Sequence, residues 1–132
     1  MTMTIPADTL VVVANGGAAR VFRNVGDDKA LTLKQEALLE GMNIDDDGPG
    51  GAMPAESSAS QIDEATFAKQ LAKGLNEDAL NNRYEHLVLL ADPQTLGRVR
   101  PLLHKETLRR MVGELAKDFT NAPLDDIERA LS

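Results

Sequence analysis

Apolar and polar positions recur with two different periods along this chain, and the periods predict which segments are strands and which are helices. Residues 9–14 form a β-branched apolar run, typical of a buried strand, that ends at Asn15 and Gly16. Both residues tolerate positive φ, so they predict a hairpin turn. Residues 18–25 and 31–39 alternate between apolar and polar side chains. The chain is therefore predicted to open with a three-stranded antiparallel meander.

A helical period follows a long irregular segment. Phe67, Leu71 and Leu75 are spaced by four residues, which places them on one face of a helix that extends to about residue 81. Ser60 is the residue type that caps a helix N-terminus, and we expect it to cap this one. Residues 86–91 are again a continuous apolar run and predict a second buried strand.

The last third of the chain contains clear helix signals and one ambiguous segment. Asp92 followed by Pro93 predicts the start of a helix that extends to about residue 103. Residues 105–119 fit a helical face, but a strand beginning near Leu108 fits as well, and periodicity leaves both open. The acidic residues after Pro123 predict a short final helix that ends near residue 131.

Residues 40–60 follow neither period. They contain four Gly, two Pro, three Ser and three consecutive aspartates, with few apolar side chains to offset the entropy cost of ordering. We expect most of this segment to be mobile or weakly packed unless a partner or cation orders it. Asn43, Asp45, Asp47 and Gly48 match the first half of a calcium loop, but Pro54 stands where the bidentate glutamate belongs, so a solvated acidic loop is favoured.

Composition excludes several kinds of function. The 132 residues suffice for one domain, and the absence of Cys excludes disulfides, iron–sulfur clusters, thiol catalysis and Cys-ligated zinc. Aromatic residues are only 3% of the chain, which argues against a base-stacking platform for single-stranded nucleic acid. No secretory signal is visible, and the longest apolar run is far shorter than the roughly 18 residues of a membrane span. We therefore expect a cytoplasmic protein.

The net charge of −7 is unevenly distributed. Residues 35–68 hold eight acids and no Lys or Arg, whereas residues 98–110 carry a net charge of +4. A basic segment of this kind is a candidate polyanion-binding surface, and its alternative is a solvated helix surface that offsets the acidic segment. The candidate residues are Arg98, Arg100, Lys105, Arg109 and Arg110.

No catalytic motif is evident. The Gly-rich stretch at residues 14–20 precedes strand-like residues rather than a helix, which favours a hairpin turn over a phosphate loop. His86 and His104 are isolated, and His86 fits a structural position at the start of a strand. The serines Ser57, Ser58 and Ser60 have no nucleophile-elbow context. We expect no enzyme activity, no metal and no cofactor.

Four blocks, at residues 10–22, 67–75, 87–100 and 114–120, resemble in order and spacing the bacterial family of proteins required for attachment to host cells. One departure is Phe119, where that family usually has Leu. The family in turn resembles the central domain of eukaryotic and archaeal class-one peptide release factors. The resemblance implies one α/β domain over residues 1–132 with a ribonuclease-H-like mixed sheet of about five strands and about three helices. It also implies a strand at roughly residues 108–115.

The resemblance also identifies a chemical departure. Release factors carry Gly-Gly-Gln in the loop before the long helix, where this chain has Gly50, Gly51 and Ala52. Ala52 cannot position a water or a ribose, which argues against peptide release. A ribonuclease-H nuclease would need carboxylates on the first strand to hold two metals, and the nearest acid, Asp8, precedes that strand.

The expected function is therefore that of a non-enzymatic binding module. Its candidate partners are the ribosome or RNA, reached through the basic residues, with no membrane partner. The alternative is an indirect regulatory role in attachment to host cells through a protein partner. A second candidate contact is the irregular loop, whose candidate residues are Asp45, Asp46, Asp47, Gly50 and Gly51.

Overall fold

A five-stranded mixed sheet with helices on both faces makes up the computed structural model, which describes residues 4–40 and 63–131. The strands are β1 (Leu10–Ala14), β2 (Ala18–Asn24), β3 (Leu33–Glu40), β4 (Leu87–Ala91) and β5 (Met111–Ala116). The helices are α1 (Glu64–Leu80), α2 (Pro93–Val99), α3 (Lys105–Arg110) and α4 (Leu124–Leu131), and a short 3-10 helix, Arg100–Leu102, follows α2. The α/β fold class is confirmed, with four α-helices in these residues where about three were expected.

The strand order is β3-β2-β1-β4-β5. β1 pairs antiparallel with β2, and β2 pairs antiparallel with β3, which confirms the opening meander. β4 is parallel to β1 and to β5. This arrangement, an antiparallel meander followed by two parallel strands, is the ribonuclease-H-like sheet that the resemblance implied. It leaves β3 and β5 as the two edges.

β1 and β4, which lie side by side in the middle of the sheet, are apolar at every position because both faces of the sheet are covered there. Val12 and Leu89 pack on one face against α1, which contributes Leu71 among others. Val11 and Val13 of β1 pack on the opposite face, where they form a second core cluster with Ile127 of α4. A strand buried on both faces has a continuous apolar run rather than an alternating one, as the sequence predicted for both segments.

The N-terminus of α1 differs from the sequence prediction. The helix begins at Glu64, and its N-cap is Asp63, whose carboxylate accepts a hydrogen bond of 2.7 Å from the backbone N–H of Thr66. The prediction that Ser60 caps this helix was therefore wrong. The hydrogen bonds from Thr66 hold the pKa of Asp63 below its usual value. The predicted apolar face of the helix is confirmed, since Phe67, Leu71 and Leu75 are all buried.

The β1–β2 hairpin is confirmed, but it does not use positive φ. Among the described residues only Asp8 and Asn82 have positive φ. The Asn15 side-chain carbonyl instead accepts hydrogen bonds of 2.8 Å from the backbone N–H groups of Gly17 and Ala18. The turn is stabilised by this local side-chain bonding, which is the other reason Asn favours turns.

The ambiguous segment at residues 105–119 contains both structures that its pattern allowed. α3 occupies its first six residues, and β5 begins at Met111, three residues after the position expected for the strand. His104 caps the helix, since its Nδ1 accepts a hydrogen bond from the backbone N–H of Glu106. The preceding helix is also shorter than expected, because α2 ends at Val99 and Pro101, which lacks an N–H, follows within a 3-10 turn.

The predicted irregular loop lies outside the described residues from residue 41 onward. So do its candidate partner residues, which are Asp45, Asp46, Asp47, Gly50 and Gly51, the half calcium motif, and the three serines.

Candidate functional site

The five basic residues proposed from the sequence lie on α2, the 3-10 helix and α3, and most of them are already bound to carboxylates. Arg98 contacts Glu64, the first residue of α1, with 2.7 Å between Nη1 and Oε1. Arg100 contacts Glu114 of β5 at 3.3 Å. Because surface ion pairs of this kind contribute about 1 kcal/mol or less to stability, both arginines can exchange their carboxylate for another anion.

Glu106 neutralises part of the charge at the end of α3. It accepts hydrogen bonds from Arg109 and Arg110, which lie one turn further along the helix. These bonds, first from Arg109 and then from Arg110, hold the pKa of Glu106 below its usual value. Arg109 stays largely exposed, with 74% of its side chain accessible.

Arg110 has a structural role that the sequence did not indicate. Its side chain is only 15% exposed, and its guanidinium donates to the backbone carbonyl of Tyr84 and, at 3.0 Å, to the Oδ1 of Asn82. These two acceptors lie in the turn between α1 and β4. Arg110 therefore anchors α3 to the neighbouring turn and presents little charge to a ligand.

Lys105 is the candidate with the most available charge. It is exposed, and it forms no ion pair with any residue in the described ranges. The structure therefore brings all five candidates to one side of the sheet, where Lys105, Arg100 and Arg109 are exposed, Arg98 is half-buried and Arg110 is nearly buried.

Two lysines that the sequence reasoning missed lie beside this surface. Lys69 and Lys73 are exposed on α1 and line a shallow groove of about 240 Å³ together with Leu102 of the 3-10 helix. The signal was present, because the two lysines are four residues apart and lie away from the apolar face of the helix. Only the packing of the 3-10 helix beside α1 shows that they adjoin the basic segment.

A second groove runs between the 3-10 helix, α3 and the start of β5. It consists of two adjoining depressions of about 440 and 400 Å³ that share Arg100 and Leu108. Gly97 and Pro101 line the first depression, and Met111, Val112, Gly113 and Glu114 line the second. Leu108 and Val112 are unusually exposed for apolar residues, at 40% and 38%. We refer to these lining residues as the β5 groove.

The Gly-rich turn after β1 is held by hydrogen bonds within the protein. It is followed by strand β2, so it has no helix N-terminus with which to bind an anion. The Nδ2 of Asn15 donates to the Oγ1 of Thr120 at 2.9 Å. Arg20 donates to the backbone carbonyls of Thr120 and Ala122, at 3.2 and 2.7 Å, and lies over the ring of Phe22. The hairpin and the turn after β5 are thus joined by hydrogen bonds, and we call this set of residues the β1–β5 junction.

The two histidines considered in the sequence analysis lie in structural positions. His104 is the N-cap of α3, and the backbone carbonyl of His86 accepts a hydrogen bond from Leu10. In the described ranges no three His, Asp or Glu side chains come close enough together to hold a metal ion. Within the same ranges, no helix has the length and the apolar composition needed to cross a membrane.

Comparison with known proteins identifies relatives over most of the chain. The model of the bacterial archaeo-eukaryotic release factor family 12 matches residues 8–131. The uncharacterized protein RP470 of Rickettsia prowazekii (strain Madrid E) is 29% identical over 85 residues. That alignment covers 63% of this chain and 57% of the Rickettsia protein, so the chain spans little more than half the length of that relative.

Proposed function

Because the chain belongs to bacterial archaeo-eukaryotic release factor family 12, we propose that it is a non-enzymatic module that associates with the ribosome or RNA. The proposed contact surface is the basic one formed by Arg98, Arg100, Lys105 and Arg109, extended on α1 by Lys69 and Lys73. The proposal includes a cytoplasmic location, where ribosomes are found.

One observation carries this proposal. Although the net charge of the chain is −7, five exposed cations lie together on the side of the sheet covered by α1, α2 and α3, and these are Lys69, Lys73, Arg100, Lys105 and Arg109. Phosphate contacts supply most of the affinity of a sequence-independent nucleic-acid binder, and they need exposed Lys and Arg side chains. The exposed members of the set, above all Lys105 and Arg109, are suited to such contacts.

The absence of release activity is part of the same proposal. The chain has Gly50, Gly51 and Ala52 where the resemblance to release factors places Gly-Gly-Gln. Alanine has no side-chain amide with which to position the attacking water or the tRNA ribose. An assay of peptidyl-tRNA hydrolysis on programmed ribosomes should give the rate of the buffer alone, and hydrolysis above that rate would contradict this part of the proposal.

Association is tested by sedimentation with purified ribosomes at two salt concentrations. We expect binding at 50 mM salt and a loss of about 10- to 40-fold in affinity at 200 mM, as two or three phosphate contacts require. The double variant Lys105→Glu/Arg109→Glu should bind at least tenfold more weakly. The matched control is Lys29→Glu/Lys34→Glu, which makes the same charge change at exposed residues by the opposite edge strand, β3.

A variant of opposite sign sharpens the test. Glu106→Gln removes the carboxylate that binds Arg109, while Arg110 keeps its hydrogen bonds to Tyr84 and Asn82. It should therefore strengthen ribosome association. No binding at low salt, or equal losses in the test and control double variants, would overturn the proposal.

A second candidate function is an indirect regulatory role in attachment to host cells through a protein partner. The observation that favours a protein partner is the apolar β5 groove, because exposed Leu108 and Val112 contribute nothing to phosphate binding. A pull-down from lysate, with and without nuclease, separates the two candidates. Capture lost on nuclease treatment supports RNA association, and capture of one protein that resists nuclease supports the second candidate.

A further inference from the structure

β5 is an edge strand whose outer side pairs with no other strand in the described part of the chain. Within those residues no strand pairs with its backbone N–H and C=O groups on that side, and an unpaired edge of this kind is a template for pairing. A partner that satisfies these groups must be extended. This requirement identifies the class of ligand by backbone chemistry, independently of the phosphate contacts proposed above.

The β5 groove lies directly beside this edge and would accept a side chain of the added strand. Leu108 of α3 lines one side of the groove, and Met111 and Val112 of β5 line the other. Gly97 lines its first depression, and a Cβ at that position would meet no heavy atom within 4 Å, so a larger side chain fits there. In strand addition, main-chain hydrogen bonds provide affinity, and such pockets for alternate side chains provide specificity.

The charges around the edge decide between a second copy of the chain and a different partner. The single charge on β5, Glu114, is bound to Arg100. On the 3-10 helix, α3, β5 and the turn after β5, Arg100 is bound to Glu114 and Arg109 to Glu106, and Arg110 is nearly buried. The exposed charges that remain on these segments are Lys105, Lys117 and Asp118, which leaves an excess of positive charge. Since this region is net positive, two copies of it would repel each other, whereas an acidic segment would be attracted.

We propose that the outer edge of β5 binds an extended, acidic segment of a protein partner by strand addition. One apolar side chain of the segment fills the β5 groove, and acidic residues at its ends face Lys105 and Lys117. This site shares Lys105 with the proposed ribosome or RNA surface but goes beyond that association, because an open strand edge and an apolar groove recognise an extended peptide rather than phosphate.

A blocking variant tests the site without weakening the fold. Gly97→Leu places a side chain in the groove on an exposed helical position with no neighbour to clash with, and leucine is a better helix former than glycine. Gly74→Leu is the matched control, since Gly74 is also an exposed helical glycine with nothing within 4 Å, but lies on α1 away from the groove. Both variants should melt at or above the temperature of the parent protein.

The probe is a fluorescent eight-residue synthetic peptide with alternating valine and threonine at its centre and two glutamates at each end. Fluorescence anisotropy should show saturable binding, weakened at least fivefold by Gly97→Leu and unchanged by Gly74→Leu. The same peptide with lysine in place of glutamate should bind at least fivefold more weakly. Amide NMR shifts on titration should concentrate in residues 111–116.

Three outcomes would overturn this proposal while leaving ribosome association intact. The first is equal peptide binding by the two glycine variants, and the second is amide shifts confined to another surface. The third is concentration-dependent dimerisation of the free protein that Gly97→Leu abolishes, which would assign the edge to a second copy. If instead polyuridine RNA binds and Gly97→Leu weakens RNA and peptide alike, the groove belongs to the RNA surface, and a separate peptide site is excluded.

Discussion

The β1–β5 junction includes the turn after β5, whereas the β5 groove lies at the start of that strand, and the two regions differ in how their side chains are partnered. At the junction, Asn15, Arg20 and Thr120 hydrogen-bond to one another or to backbone carbonyls. At the groove, Leu108 and Val112 are exposed, and the strand edge beside them is unpaired in the described residues. The comparison shows that polar motif residues can serve the fold while ordinary apolar residues form the open surface.

The two sides of α3 also differ, one being hydrogen-bonded within the fold and the other exposed to solvent. Its inner side holds Thr107 and Arg110, which bond to Asn76 and to the backbone carbonyl of Tyr84. Its outer side presents Lys105, Leu108 and Arg109 to solvent. Substitutions on the inner side and at the junction should therefore change stability, and substitutions on the outer side should change binding.

The largest effect on stability is expected at Tyr84, whose backbone carbonyl accepts a hydrogen bond from Arg110 of α3. Burial raises the pKa of its hydroxyl to about 12, and that hydroxyl donates a 2.8 Å hydrogen bond to the carbonyl of Leu75. A pKa raised in the folded state means that the contribution to stability is complete below pH 10 and is lost as the pH rises through 12. The shift corresponds to about 3 kcal/mol at most.

This prediction can be measured directly, because Tyr84 is the single tyrosine and the chain has no Trp. The ultraviolet absorbance of tyrosinate should titrate near pH 12 in the folded protein and near pH 10 in denaturant. Tyr84→Phe should lower stability by about 1 kcal/mol at neutral pH. It should also remove most of the loss between pH 10 and 12, and a parallel loss in this variant would contradict the assignment.

The next effect concerns the junction. Arg20→Met keeps the apolar stem over Phe22 but leaves the carbonyls of Thr120 and Ala122 without their donor. We expect a loss of about 2 kcal/mol in the free energy of unfolding, measured by urea denaturation. Arg83→Met is the control, because the Arg83 side chain is 69% exposed and should tolerate the change within about 0.5 kcal/mol. Equal losses in both variants would show that the junction does not stabilise the fold.

The smallest effect is expected in the groove. Leu108→Ser should change the free energy of unfolding by less than about 0.5 kcal/mol, because the side chain already contacts water in the folded protein. The same variant should weaken binding of the acidic peptide severalfold. A stability loss of 2 kcal/mol or more would contradict this prediction, since it would make Leu108 part of the core.

The sequence predicted those elements whose buried positions can be recognised from the spacing of their apolar residues. The apolar runs of β1 and β4 and the face of α1 are local patterns, and each was confirmed. Asp92 with Pro93 also located the start of α2 correctly. The boundary between α3 and β5 was not predictable, because Leu108 and Val112 suit either structure, and contacts with distant residues such as Asn76 and Tyr84 fix the helix.

Local sequence patterns were enough to predict the opening meander, the long amphipathic helix and the separation of acidic from basic segments, since each depends on neighbouring residues along the chain. The mixed-sheet fold class was implied by the family resemblance. Tertiary structure alone decided how the basic residues are used. It binds Arg98 to Glu64 and Arg100 to Glu114, covers most of Arg110, and leaves Lys105 exposed. It also placed β5 at the edge of the sheet. The reason is physical: ion pairs and strand order join residues far apart in sequence, and local periodicity carries no information about which distant group will be the partner.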